Sequence, residues 1–562
     1  MRTVVLQMIL LLAMLVGLSA TLLAPLLYDP ELAVVYPRDL LVMVGLVLFL
    51  GRVRAGIALR WLVTTAWGVV VFFELVRAIG ISAMTQQPLL YDAFFLVKHL
   101  YVLLSDLMGW KASAMFVGVL LVWLVVTAAG HWIFGRLVTV GGRWSWRQRL
   151  GFYALLVGSV IGVEVSTPLI GNNSLHDASR NLADSMVVVS DIRRGTDASA
   201  YEEMDAVTLT TKPSVHIYVI ESYGSGVLAK RIRDDYFSMR ARMSLRLGMK
   251  GWRVVTSRTV APVMGGRSWL ADATLLSGRL VKHESVYRHL KPQFATLRTL
   301  PSFFESHGYR TILMRQNNKV RPGVSLENNF AFTDTVFFDD IGYTGEPYGW
   351  AEVPDQVALG HLREEVLPRL GTTPNFVFAH LGSSHIPWSG LPPLVDDWRT
   401  MNTGSVAVEG EDLEMSEGQL KMQMKRFKRK DEVRLRRLRP TPDNVEDYME
   451  AITYSFEAVV RHIEKLETEP EIIIVMGDHQ PPLYKHNTDF TVPMHVMAKD
   501  KRWLKAFRAQ GFKSGMKLGY EEDAIRHEGF YSLMVRALAG PGGQALPPYR
   551  EHGITTGQAQ GE

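Results

Sequence analysis

No cysteine occurs in the 562 residues. That excludes disulfides, thiolate metal ligands and cysteine nucleophiles. It leaves the compartment open, because a domain of this size has core enough to fold without bridges. The chain also lacks a strong charge of either sign: a net +5 at pH 7 gives no reason to invoke nucleic acid. There is no internal repeat. What the chain has in excess is apolar residues. They make up 48% of it, for a mean hydropathy of +0.07, and they crowd the first third.

A membrane-crossing helix needs roughly 20 mostly apolar residues. Five segments meet or approach that: 4–26, 39–54, 57–80, 113–135 and 149–170. The stretch 93–110, "AFFLVKHLYVLLSDLMGW", contains Lys98, His99 and Asp106 and reads as an amphipathic helix at the interface, with a sixth span as the alternative. Arg52, Arg54 and Arg60 cluster in one loop, and Arg136, Arg143, Arg147 and Arg149 in another. The positive-inside rule makes both loops cytoplasmic, so five spans deliver everything after about residue 170 outside. The expected layout is a transmembrane domain of about five helices at 1–170 and a linker at 171–212. A soluble domain follows at 213–545, with an insertion at 396–443, and then a flexible tail at 546–562. The helical stretch of the linker is expected to pack along the soluble domain.

From residue 213 apolar runs alternate with helical patterns. "VHIYVI" (215–220), "TILM" (311–314), "TVFF" (335–338), "NFVFAHL" (375–381) and "EIIIVM" (471–476) read as buried strands, with helices at 354–370 and 444–468. This predicts an α/β domain with a mostly parallel central sheet covered on both faces. In such sheets the chemistry lies beyond the carboxyl ends of the strands. Glu221-Ser222 follow the first run, His385 follows the fourth and Asp478-His479 follow the last. Glu, Asp and His together suit a divalent metal.

The stretch "APVMGGRSWLADATLLSG" (261–278) sets Ser268 at a helix start, behind two glycines and beside Arg267. The ordinary role of such a Ser is an N-cap. Beside a metal it could instead be a nucleophile, with Arg267 as counter-charge to a phosphoryl group.

The pieces "GDHQPP" (477–482), "IYVIESYG" (217–224), "HLGSSHIPW" (380–388) and the helix 445–466 resemble the alkaline phosphatase/sulfatase superfamily. The likeness is to its lipoteichoic acid synthase and periplasmic glucan phosphoglycerol transferase branch, over roughly residues 213–540. That resemblance implies a C-terminal α/β sulfatase-like domain behind an N-terminal α-helical transmembrane bundle. It implies one metal, Mn2+ or Mg2+ first and Zn2+ second, held by Glu221, Ser268, Asp478 and His479. Ser268 stands where the family has its nucleophile, usually Thr, and His385 near the head group or leaving group. Arg315, Asn318 and Arg321 are the candidates for head-group contacts, although their segment matches the family poorly. Asp272 falls later than the family's Ser-Asp pair.

The implied activity is transfer of a phospho-head group, phosphoglycerol first, through a phospho-serine. The donor is a membrane phospholipid and the acceptor an extracytoplasmic glycan or polymer, at the bacterial inner membrane. The alternatives are a phosphoethanolamine transferase, a metal-dependent phosphodiesterase, or an inactive scaffold for envelope assembly. His216 and His380 read as core histidines, and His495 as a candidate ranked below the four ligands. The basic run 418–439 reads as a solvated face or an anionic-lipid contact.

The topology has a direct check. A periplasm-active reporter fused after residue 180 should be active, and one active only in the cytoplasm should be silent. The reverse pattern would overturn the five-span arrangement.

Overall fold

The computed structural model describes residues 2–23, 38–50, 56–84, 87–93, 109–166, 174–319, 328–348, 351–386, 390–402, 445–483, 489–518, 525–540 and 545–554, together with Phe95, Val97, Tyr101 and Trp388. Most of 93–110, most of the insertion, Arg321 and the tail from 555 lie outside the described residues. The chain divides into two units, Met1–Val189 and Ser190–Glu562.

The first unit is helical: α1 (Arg2–Leu23), α2 (Arg38–Leu50), α3 (Gly56–Met84), α4 (Trp110–Arg143), α5 (Trp146–Ser166) and α6 (Ser174–Arg194). Two described stretches are long and apolar enough to cross a membrane, Ile57–Ile81 and Trp110–Arg143. Of the latter's apolar window only 6% is buried. Val122 and Val125 stand 63% and 67% exposed, which an aqueous surface would not tolerate in such a run. Helices also cover the other three expected spans; that all five cross remains a proposal.

The linker helix α6 differs from expectation. Its polar face is turned inward: Asn181 Oδ1 accepts from Leu90 N at 2.7 Å, and Asn181 Nδ2 donates to the Pro88 carbonyl at 3.1 Å. Through Val189 it groups with the membrane unit rather than the soluble one, because its side-chain amide satisfies backbone groups there.

The second unit is built on a nine-stranded sheet. In chain order its strands are β1 (Val215–Ile220), β2 (Arg253–Val260), β3 (Arg310–Arg315), β4 (Asp334–Val336), β5 (Asn375–Leu381), β6 (Ile472–Gly477), β7 (Thr491–Ala498), β8 (Lys513–Ser514) and β9 (Ile525–Arg526). The spatial order is β4-β3-β5-β1-β6-β7-β2-β8, with β9 beside β2. The run β4 to β6 is parallel, and β7 is antiparallel to both β6 and β2. The sheet is thus mostly parallel. Strand β7 contains Pro493, which argues against a central strand, yet all its residues are buried. Because β7 reverses direction, β2 runs with β6, and its carboxyl end reaches the same edge.

Alternation then sorts the side chains. Tyr218, Ile220, Val377, Ala379, Ile473 and Val475 face one way, into a core completed by α7 (Arg233–Met249) and α10 (Val445–Glu464). Residues of opposite parity face the layer that holds α8 (Ser268–Ser277) and, later in the chain, α11 (Phe530–Ala539); α9 (Asp355–His361) lies between β4 and β5 in sequence. Close approach at the carboxyl edge is tight. A Cβ at Gly477 would collide with the carbonyl of Tyr223 in the turn after β1. Gly477→Ala should therefore destabilise by about 1–3 kcal/mol. Thermal unfolding of the full-length protein in detergent checks it; an unchanged transition would mean this edge can spread freely.

Candidate active site

Register brings the site together. Ile220 pairs with both Leu381 and Gly477, so Glu221 and Asp478 emerge side by side one residue later. His380 is level with Val219 and Arg315. Parallel partners in register share a face, so Glu221, Asp478, His380 and Arg315 all point towards α8.

Ser268 arrives from the end of β2 through a strained loop. Gly265, Gly266 and Arg267 have φ of 68°, 140° and 66° in succession. Only glycine adopts such values freely, so Arg267 is held there by its surroundings. The loop is pinned to the residues after β6: Gly265 N donates to Gln480 O at 2.9 Å, and Met264 bridges to Gln480. Gln480 is pinned in turn, accepting from Gly226 N at 3.0 Å and donating to Thr491 O at 2.9 Å. Ser222, beside Glu221, also has positive φ, 59°.

The N-cap of α8 is Arg267, and Ser268 makes no capping bond. Its hydroxyl donates instead to Glu221 Oε2 at 2.8 Å and lies 3.2 Å from His479 Nε2. This corrects the N-cap reading: Ser268 Oγ accepts from no N–H of its own helix, and strand register presents a carboxylate oxygen that accepts its proton in a hydrogen bond. His479 Nε2 lies 3.2 Å from Glu221 Oε1 and 3.3 Å from Asp478 Oδ2. Its Nδ1 donates to Gln480 O at 2.9 Å, which leaves Nε2 aimed at the carboxylates. Asp478 Oδ1 accepts from Ser222 N at 2.8 Å and His479 N at 2.7 Å.

His380, read from sequence as a core residue, is part of this cluster. Its Nδ1 bonds Asp272 at 3.0 Å, and its Nε2 lies 3.2 Å from Glu221 Oε2 and 3.5 Å from Asp478 Oδ2. Asp272 is one helical turn beyond Ser268 and also pairs with Arg315 at 2.5 Å. Two signals could have found them: strand parity for His380, and i,i+4 spacing for Asp272.

His385 lies half-buried in the turn after β5, its N–H on Gly382 O at 3.1 Å. Asn318 sits in the turn after β3, where its backbone bonds Arg315 and Phe338. His495 has both ring nitrogens engaged, by Tyr223 at 2.9 Å and Thr256 at 2.8 Å, and burial pushes it down to about 3. His216 bonds Tyr218 and Asn375 within the core.

The electrostatics demand positive charge. Burial opposes ionisation of Glu221, but His479 and His380 hold it well below the ordinary carboxylate range. Burial and the charge of Glu221 push Asp478 up to about 6. Burial disfavours the His479 imidazolium, yet Asp478 and Glu221 push it up to about 9. His380 is likewise raised, against burial, chiefly by Asp272. Asp478 Oδ2 is buried and accepts no hydrogen bond. Glu221, His380 and Asp478 each offer a ligand atom, all within 4.8 Å of one another. An orphaned carboxylate oxygen among hard O and N donors fits a divalent cation.

Residues 270–522 match the family model described as Sulfatase. The matched stretch lies wholly within the second unit. Among solved structures, the chain is similar to the lipoteichoic acid synthase LtaP from Listeria monocytogenes, at 12% identity, covering 63% of this chain and 79% of that one, TM-score 0.36. It is similar to the Streptococcus pyogenes phosphoglycerol transferase GacH in complex with sn-glycerol-1-phosphate, at 14%, 64%, 80% and 0.35 in the same order. It is also similar to the C-terminal periplasmic domain of EcEptC from Escherichia coli, at 13%, 60%, 85% and 0.35. No curated protein matches the chain.

The charge balance gives a pH prediction. Metal-free His479 keeps its proton at pH 7, because its pKa lies near 9. A cation that takes Nε2 must displace that proton, so affinity should rise as pH approaches 9 and binding at pH 7 should release protons. Mn2+ titration calorimetry in two buffers of different ionisation enthalpy measures this. Equal heats would remove His479 from the ligand set. Asp478→Ala should weaken binding by more than the 10–100-fold typical of an outer-shell loss.

Proposed function

We propose that this protein is a membrane-anchored, metal-dependent transferase with Ser268 as nucleophile. It moves a phospho-head group, phosphoglycerol first, from a membrane phospholipid to an extracytoplasmic glycan or polymer. The observation that carries the reading is the direction of the Ser268 hydroxyl: away from its own helix and into the Glu221–Asp478–His479 cluster. The superfamily resemblance and the apolar helices of the first unit support the substrate class. The proposed ligands are Glu221, Ser268, Asp478 and His479, joined by His380, for Mn2+ or Mg2+. When bound, such a cation supplies Lewis acidity that lowers the hydroxyl pKa and offsets phosphoryl charge.

The steps use the chain's own groups. Glu221 Oε2 already accepts a hydrogen bond from the Ser268 hydroxyl, along which its proton would leave. As that proton leaves, Oγ attacks the donor phosphorus; the phosphorus–oxygen bond to diacylglycerol breaks, and the departing oxygen takes a proton, with His385 nearest in role. The helix N-terminus and Arg267 face the transferred phosphoryl charge. Arg315, tied to Asp272, stands as a head-group contact at the rim. The acceptor hydroxyl then attacks phosphorus, its proton departs, and the bond to Ser268 Oγ breaks.

Substitution at Ser268 separates nucleophile from structural residue. Ser268→Ala and Ser268→Asn should both abolish turnover, since neither supplies an attacking oxygen. Ser268→Thr should retain part of it. A donor analogue with a slow second step should leave a phosphoryl adduct on Ser268, read by peptide mass spectrometry. Wild-type turnover by Ser268→Asn, or an adduct on Ser222, would reject the role.

A further inference from the structure

Helix α6 is inside out. A helix on a soluble protein turns its apolar stripe inward. Here Ala178, Asn181 and Ser185 are buried, while Leu182, Met186 and Val187 stand 53%, 66% and 59% exposed, with Ala183 exposed between them. Residues 182, 183, 186 and 187 follow helical spacing and form one apolar patch. Arg180 and, one turn on, Asp184 are exposed along its flank.

Three contacts fix where that patch lies. Asp177 reaches Arg77 at 3.5 Å, and Arg77 sits inside the apolar stretch Ile57–Ile81 of α3. One turn later, Asn181 bonds Pro88 and Leu90. One further turn on, Ser185 Oγ accepts from Tyr91 N at 3.4 Å. The helix is thus hooked to the last turn of a candidate span and to the residues just after it. Its middle turns belong at the bilayer boundary.

We propose that the Leu182–Ala183–Met186–Val187 face is seated in the outer-leaflet interface and contacts phospholipid directly, with Arg180 reaching headgroup phosphate. The inference rests on α3 crossing the membrane and is independent of the chemistry at Ser268. Lipid is the occupant because the same unit also turns Leu62, Val122 and Val125 outward from apolar helices. An apolar face with a cation at its flank is the composition that interfacial helices present to lipid.

The absence of cysteine makes the test clean. Met186→Cys, Val125→Cys and Lys505→Cys each give the full-length chain a single thiol for a bimane probe. Lys505 is exposed on the soluble domain and serves as the water reference. In phosphatidylcholine–phosphatidylglycerol nanodiscs, the probe at 186 should be quenched several-fold more by a shallow-doxyl lipid than by a deep-doxyl lipid, and shielded from iodide. The probe at 125 should prefer the deep quencher, and that at 505 should respond to iodide alone. Iodide access at 186 equal to that at 505 puts the face in water and overturns the proposal. Shielding from iodide and both lipids means protein covers it, and overturns it equally. Loss of lipid quenching at 125 would remove the membrane assignment itself, while leaving Ser268 chemistry untouched.

Discussion

Three buried carboxylates crowd one point of this structure, and everything around them answers that crowding. Glu221, Asp272 and Asp478 are each at most 5% exposed. Two like charges about 4 Å apart repel by about 4 kcal/mol at the effective dielectric of a protein. Such an array stands only with positive charge among it. His380 and His479 are held protonated for that reason when no metal is present. A divalent cation satisfies the same demand better, because it also takes the oxygen of Asp478 that accepts no hydrogen bond.

The sheet exists at this edge to hold the charges in register. Serine 384 donates to the Glu221 carbonyl at 2.6 Å, and Tyr448 donates to the Ser222 carbonyl at 3.0 Å, so the turns after β1 and β5 are tied to each other and to α10. The loop that carries Ser268 is tied to the residues after His479 through Gln480. Strain at Ser222 and Arg267 is sustained by these bonds. A hydroxyl placed this way lies at a helix N-terminus and beside a Glu–His–Asp group that could hold a cation. That combination suits phosphoryl transfer, in which the protein positions groups and stabilises charge rather than supplying elaborate covalent chemistry.

Much of this was legible in the chain. Continuous apolar runs such as 472–476 mark strands buried on both faces, and the residues just past them were the ones to inspect. What escaped had a physical cause in each case. Strand β7 was hidden by Pro493, which forfeits a donor that the antiparallel ladder does without. His380 was hidden because it lies inside its strand rather than after it. A reading confined to strand ends counts it as core. Helix α6 reads from its sequence as a linker helix packed along the soluble domain, because its period is helical; periodicity reports a face, not the medium that face meets.

The resemblance to the superfamily implied the set Glu221, Ser268, Asp478 and His479; the strand–helix alternation by itself indicated the fold class, and the strand ends singled out Glu221, His385, Asp478 and His479. Local pattern carries that much, since strand runs, turn glycines and charge placement are all short-range. The tertiary structure alone decided that Ser268 faces a carboxylate instead of its own helix, and that His380 and Asp272 join the cluster. Those outcomes depend on the register of β1 against β5 and β6, and a one-residue slip there would turn every one of these side chains to the opposite face.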